Sequence, residues 1–134
     1  MKLIIDSSAL IAYLANEPGA DVVDELLNDV CNDCCVHAVN LCEVYYDVLR
    51  RTDEATVKET VSRLTLAGLT TREDMDSDFW QDAGSFKANL IRISLADCFC
   101  VALTRRIDGE LVTADHREME PVAGQELCRV RFIR

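Results

Sequence analysis

The sequence predicts one α/β domain built on a mostly parallel sheet of about five strands, and three observations predict it. Short β-branched or apolar runs alternate with stretches of helical hydrophobic spacing along the whole chain. No Gly/Pro/Ser-rich linker and no internal repeat divides it. Its 134 residues, 49% hydrophobic and 28% charged, match one ordinary packed core. Residues 1–134 are therefore expected to form a single unit, with right-handed crossovers aligning the strand ends along one edge.

The elements follow in order. KLIID reads as a buried strand that Asp6 ends, and SSALIAYLA switches to helical spacing at Leu10, Ile11 and Leu14. After the Pro18-Gly19 break, Val22, Val23, Leu26 and Leu27 mark a second amphipathic helix, and CCVHAV is the next strand. A third helix is expected from near Asn40 through Val44, Tyr45, Val48 and Leu49, and a fourth through Val57, Val61, Leu64 and Leu66 up to Gly68. LTTR is a short strand, followed by a polar helix over Asp78 to Leu90. Ser94 opens a clearer helix with Leu95, Cys98, Phe99, Ala102 and Leu103 inward. Leu111 to Ala114 returns to strand character. A turn around Glu118 leads to the last strand, Val130 to Ile133.

Charge and cysteines narrow the function classes. Fourteen Lys and Arg against 24 Asp and Glu give −10, so a broad basic face for duplex binding is missing and any nucleic acid must be gripped locally. The first third is strongly acidic, with nine acids against Lys2 alone over residues 1–49. No apolar run approaches the ~18 residues of a membrane-spanning helix, and no signal-peptide layout opens the chain, so a cytoplasmic location without a membrane is expected. Seven cysteines, an odd number, suit reduced thiols. Cys31-x-x-Cys34-Cys35 lacks a second ligand pair for zinc and contains an Asn32-Asp33 turn signal. Cys42, Cys98 and Cys100 read as small core residues.

Four acids fall where chemistry is expected. Asp6 follows the first strand, Glu43 and Asp97 lie in the first turns of two helices, and Asp115 follows LVTA. Corners of this kind line the crevice beyond the carboxyl ends of the strands, where α/β sheets bind ligands. Carboxylates converging there are the donors that hard Mg²⁺ or Mn²⁺ prefers, and without a cation they would repel one another. Each acid alone also suits helix capping, since Asn40-x-x-Glu43 and Ser94-x-x-Asp97 resemble capping boxes and acids suit the helix dipole.

These residues sit in longer motifs. LIIDSSALIAYL, VNLCEVYYDVLRR, ISLADCFCVALTRR and LVTADHREME together resemble, in order and spacing, the successive motifs of PIN-domain ribonucleases, in particular VapC-type toxins. The resemblance implies a three-layer α/β/α fold and a Mg²⁺- or Mn²⁺-dependent endoribonuclease. It also implies a homodimer and a cognate antitoxin protein whose carboxy-terminal segment covers the acidic groove. By position, Asp6, Glu43, Asp97 and Asp115 match the family's metal-binding and catalytic acids. Ser7 or Ser8, Asn40 and Thr113 match polar positions that would orient those ligands. The pattern departs at Met119, where many relatives carry Phe.

A cation on these acids would activate water directly, with Glu43 or Asp115 orienting it, so no histidine or side-chain nucleophile is required. His116 reads as a solvated loop residue. Lys87, Arg92 and Arg117, with Arg50, Arg51, Arg105 and Arg106, are the cations available to position RNA, and Tyr13, Tyr45, Tyr46 and Trp80 the rings available to stack on bases. Tyr45 reads better as core or interface. A single-stranded or looped RNA is the expected substrate. Four readings compete: an RNA-processing PIN nuclease outside a toxin system, a phospho-acceptor receiver, a haloacid-dehalogenase-type phosphatase, and a non-catalytic interaction module. The second and third want a further acid beside Asp6, where Ser7 and Ser8 stand.

Overall fold

The structure, a computed structural model, describes all residues from Met1 to Arg134. Five strands form one sheet: β1 (Lys2–Ile5), β2 (Asp33–His37), β3 (Thr70–Arg72), β4 (Glu110–Thr113) and β5 (Arg129–Phe132). They lie in the order β3-β2-β1-β4-β5, and every pairing is parallel. The chain winds outward from β1 through β2 to β3, then returns to the other side of β1 for β4 and β5. The order therefore reverses beside β1, the position at which open α/β sheets form their ligand crevice.

Seven helices cover the two faces: α1 (Ser7–Leu14), α2 (Ala20–Asn28), α3 (Ala38–Arg51), α4 (Glu54–Leu66), α5 (Ser77–Asn89), α6 (Leu95–Arg106) and α7 (His116–Gly124). The period-2 alternation of the strands sorts their side chains between two cores. Leu3, Ile5, Cys34, Val36 and Val112 join Leu10, Val23, Val44, Val57 and Leu64 from α1–α4. Ile4, Cys35 and Leu111 join Phe79, Ala83, Leu103, Met119 and Val122 from α5–α7. A three-layer α/β/α sandwich results. Because β1, β2 and β4 are buried on both faces, they read in the sequence as continuous apolar runs rather than as alternation.

Several elements depart from the expected pattern. The third helix starts at Ala38, not near Asn40, so the last two residues of CCVHAV are helical. His37 is the reason: its Nδ1 accepts from the Val39 amide (3.1 Å) and caps the helix, while Nε2 donates to the Asp74 carbonyl (2.9 Å). The ring stacks on Phe79 and Phe99, with centroids 5.2 and 5.4 Å away. Histidine is outside the usual Ser/Thr/Asp/Asn cap set, which is why the sequence directs the eye to Asn40. The expected turn around Glu118 is the helix α7, which carries Pro121 inside it. Strands β4 and β5 each begin and end one residue earlier than expected. Leu66 and Leu95, expected inward, are exposed, as is Cys42, whereas Cys98 and Cys100 are core residues.

Candidate active site

Asp6 stands at the carboxyl end of the central strand. Its amide donates to the Val112 carbonyl of β4 (3.0 Å), and its carboxylate caps α1 by accepting from the Ala9 amide (2.9 Å). Ser8 Oγ donates to Oδ1 (2.7 Å) and Thr113 Oγ1 to Oδ2 (2.5 Å). The two hydroxyls touch each other at 3.2 Å; Ser8 Oγ also accepts from the Ala114 amide, and Thr113 Oγ1 from the Asp115 amide, both at 3.0 Å. One network thus locks the β1–α1 corner to the β4–α7 corner and leaves Asp6 a single rotamer. Burial pushes the Asp6 carboxyl up to about 6, against the pull of the Thr113, Ala9 and Ser8 hydrogen bonds and with a small added push from Asp115.

Asn40 joins three helix starts. It is fully buried inside α3, not at its cap; its Oδ1 accepts from the Ser7 amide (3.3 Å) and its Nδ2 donates to the Ala96 carbonyl (3.1 Å). The Asn40-x-x-Glu43 capping box is therefore absent, and Glu43 lies in the second turn. Ser7 Oγ reaches it at 3.2 Å. Burial raises the Glu43 carboxyl, while Ser7 and Tyr46 hold it down in part and the Glu118 charge adds to the rise. Both serines after Asp6 hold an acid: Ser8 holds Asp6 and Ser7 holds Glu43.

Ser94 caps α6 by accepting from the Asp97 amide (3.2 Å), but its own amide donates to Glu118 Oε2 (3.4 Å) from α7. In a capping box the third-position acid would take that amide. Here Glu118 takes it, and the Asp97 carboxyl turns to Glu118 instead. Burial, this hydrogen bond and the Asp6 charge push Asp97 up to about 9, and the same hydrogen bond holds Glu118 below its usual range. Of the two carboxyls, Asp97 is thus the one with the higher proton affinity. Asp115 caps α7 by accepting from the Glu118 amide (3.0 Å). Glu118 is the site residue that sequence reasoning passed over. Its signal was present as Asp115-x-x-Glu118, the spacing that places an acid one helical turn past a cap.

At the reversal of strand order these acids thus lie within electrostatic reach of one another: the Asp115 charge adds to the rise of Asp6, the Asp6 charge to that of Asp97, and the Glu118 charge to those of Asp97 and Glu43. As they stand, no three His, Cys, Asp or Glu side chains are arranged to hold a metal ion. The donors are hard oxygens, and their mutual repulsion is what a divalent cation relieves, so their chemistry fits Mg²⁺ or Mn²⁺. Met119, where the motif departs from its relatives, is fully buried in the core behind Asp115.

The outer residues divide. Arg92 and Arg117 are exposed, and the Arg117 charge reaches Glu118. Lys87 is instead occupied by the carbonyls of Ile91 (3.0 Å) and Ile93 (2.7 Å), where it fixes the α5–α6 connection. Arg106 is bound to Asp74 and Asp76, Arg51 to Asp47, and Arg105 to the Leu127 carbonyl. His116 is the first residue of α7 rather than a loop residue. It stacks on Phe132 at 4.0 Å and meets the Arg134 carbonyl and, with a smaller effect, Glu120, which raise its proton affinity.

Comparison with known proteins agrees with this architecture. A family model described as PIN domain matches residues 3–124. No curated protein matches the chain by sequence. Among solved structures, VapBC-1 from nontypeable Haemophilus influenzae superposes with a TM-score of 0.75 at 14% identity, covering 99% of this chain and 98% of that one. A toxin–antitoxin complex from Klebsiella pneumoniae gives 0.72 at 15% identity, with 98% of both chains covered. Mycobacterium tuberculosis VapC20, a sarcin–ricin loop cleaving toxin, gives 0.67 at 14% identity over 89% of this chain and 94% of that one.

Proposed function

The chain belongs to the PIN domain family, and from that premise we propose that it is a Mg²⁺- or Mn²⁺-dependent endoribonuclease, the toxin of a toxin–antitoxin pair. The observation that carries the reading is the placement of Asp6, 1% exposed, where the strand order reverses, within electrostatic reach of Asp97 and Asp115, with the Glu118 charge acting on both Asp97 and Glu43. A structural role for that acid alone needs no Asp97–Glu118 pair beside it. Membership also removes the receiver and phosphatase readings, and a retained acid set speaks against a non-catalytic module.

Asp6, Asp97 and Asp115 would hold the cation, with Glu43 and Glu118 reaching it directly or through water. When bound, such an ion lowers the pKa of a water and neutralises charge on the phosphoryl group under attack. The protein's own groups supply the rest. Ser8 and Thr113 hold Asp6 in one orientation, and Asn40 keeps the first turns of α1 and α6 in register. Glu43 is the better base for the attacking water, because burial raises its proton affinity and Ser7 fixes its direction, whereas an Asp115 oxygen is taken by the Glu118 amide. The proton would pass to a Glu43 carboxylate oxygen. Arg92 and Arg117, at the exposed rim, are the cations suited to the flanking phosphates.

The toxin assignment draws on the structural neighbours, several of which are toxin–antitoxin assemblies. It brings with it a cognate antitoxin and a homodimer, to be checked by sedimentation and by co-purification with a small partner. The activity is tested with purified protein and total cellular RNA under Mg²⁺, Mn²⁺ or EDTA, beside Asp97→Asn. Discrete fragments that require the cation and vanish in the variant are expected. Fragments that persist in EDTA, or in Asp97→Asn, would refute the assignment.

A further inference from the structure

Glu43, Tyr46 and Arg50 lie at i, i+3 and i+7 on α3 and therefore form one stripe along a single face of the helix. It starts at an acid of the crevice and runs outward to solvent, with Glu43 about 4.5 Å from Tyr46 and about 10 Å from Arg50 along the axis at ~1.5 Å per residue. The Tyr46 hydroxyl acts on the Glu43 carboxylate. The Arg50 guanidinium lies over the Tyr46 ring, 4.8 Å from its centroid. Tyr46 nevertheless keeps 42% of its surface exposed.

The other aromatic groups are placed differently. Tyr13 bonds Asp24 on the α1–α2 side, Tyr45 packs against the core, Phe79 and Phe99 lie with His37, and Phe132 lies under His116. Trp80 is exposed on α5, next to the buried Phe79. Among the cations of α3, Arg51 is bound to Asp47, whereas Arg50 is engaged by the ring alone. The ring faces solvent one turn from a site carboxylate whose proton affinity it lowers, and it is backed by a guanidinium that no carboxylate neutralises. The pair has the composition of a single-strand nucleic-acid platform, an aromatic face for a base and an Arg for stacking or phosphate.

Resting on the reading that the acidic crevice cuts RNA, we propose that Tyr46 and Arg50 form the platform that receives the unpaired base next to the scissile phosphate. Tyr46 stacks on that base, and Arg50 meets the following phosphate. The platform settles how an acidic protein holds a polyanion: one base is captured at the rim, so the backbone turns into the crevice without any extended basic surface. It also favours single-stranded or looped RNA, because a paired base presents no free face.

The test uses the full-length protein and a fluorescein-labelled single-stranded RNA 12-mer of mixed sequence, with anisotropy read in EDTA so that nothing is cleaved. Steady-state cleavage of the same RNA in Mn²⁺ is read alongside. Loss of one stacked base is worth ~1–3 kcal/mol, so Tyr46→Ala should weaken binding about 5- to 150-fold and raise KM in step, with kcat changed far less. Tyr46→Trp should bind as tightly as the parent or more tightly. Tyr46→Phe should keep the affinity and lower kcat, which isolates the hydroxyl's action on Glu43. Arg50→Gln should weaken binding and flatten its salt dependence. Parent-level affinity in Tyr46→Ala with cleavage intact would overturn the platform and leave the nuclease standing. Failure of the parent to bind or cleave RNA would overturn both. Loss of antitoxin capture in Tyr46→Ala with unchanged RNA affinity would reassign the stripe to a protein partner.

Discussion

Replacing Asp6 with Asn separates stability from function at the centre of the crevice. Asp6 is buried, and its carboxyl rises from 3.8 to about 6. Ionising it in the folded protein therefore costs about 3 kcal/mol more than in the open chain, at ~1.4 kcal/mol per tenfold change in proton affinity. The folded state binds the proton more tightly, so this group's contribution is fully present below pH 3.8, falls as pH rises, and is lost above about 6. Asparagine removes the charge while keeping the cap, since Asn and Asp cap helices about equally well, and its Oδ1 can still accept from the Ala9 amide and Ser8. Its amide must face Thr113, whose hydroxyl then turns to Ser8, which consumes part of the gain. In EDTA at pH 8, Asp6→Asn should be more stable than the parent by about 1–3 kcal/mol in urea denaturation, a margin that shrinks toward zero near pH 4. Cleavage should be abolished. A variant less stable than the parent at pH 8, or a margin that grows on acidification, would refute the claim that an uncompensated buried carboxylate lies here.

Three further outcomes follow from the same geometry. Asn40→Ala leaves the Ser7 amide and the Ala96 carbonyl unpaired in the interior; about 1–3 kcal/mol of stability should be lost, and kcat should fall as α1 and α6 lose register, both read on the same preparation. Lys87→Ala should lower the melting temperature by a few degrees through the freed carbonyls of Ile91 and Ile93, with RNA affinity unchanged; a drop in affinity would return Lys87 to the RNA-binding set. Divalent-cation affinity should rise with pH through the range from about 6 to about 9, because Asp6 and Asp97 must release protons; calorimetry in two buffers of different ionisation enthalpy should show net proton release at pH 7, and none would contradict the raised proton affinity of these acids.

The sheet and most helices were legible because β1, β2 and β4 are apolar runs too short for helices, and α2 and α6 carry apolar stripes at regular spacing, α2 after the Pro18-Gly19 break and α6 behind the Ser94 cap. The positions of Asp6, Asp97 and Asp115 were legible for a related reason: each caps a helix or lies one turn past a cap, next to a strand end. What escaped depends on long-range contacts. The α3 start is set by His37, whose capping role requires Asp74 and two phenylalanine rings distant in sequence. Glu118 was hidden because α7 is short, polar at its start and interrupted by Pro121, so it read as a turn. The division of work between Ser7 and Ser8 arises from the neighbours they meet, Glu43 from α3 and Thr113 from β4, and no local pattern encodes those. Cys42 was misjudged by composition alone, since it fell on the outer face of α3, and the contacts of Lys87 with two backbone carbonyls likewise have no local signal.

On the proposed reading, the five acids act as one hard-cation site. Titration of EDTA-stripped protein with Mn²⁺ by calorimetry at pH 8 tests it most directly, with Asp6→Asn, Asp97→Asn and Glu118→Gln measured beside the parent. Saturable binding is expected, weakened about tenfold or more by each substitution, as loss of a charged ligand or its partner typically does. Binding that survives all three substitutions unchanged, or no binding by folded parent protein, would contradict it.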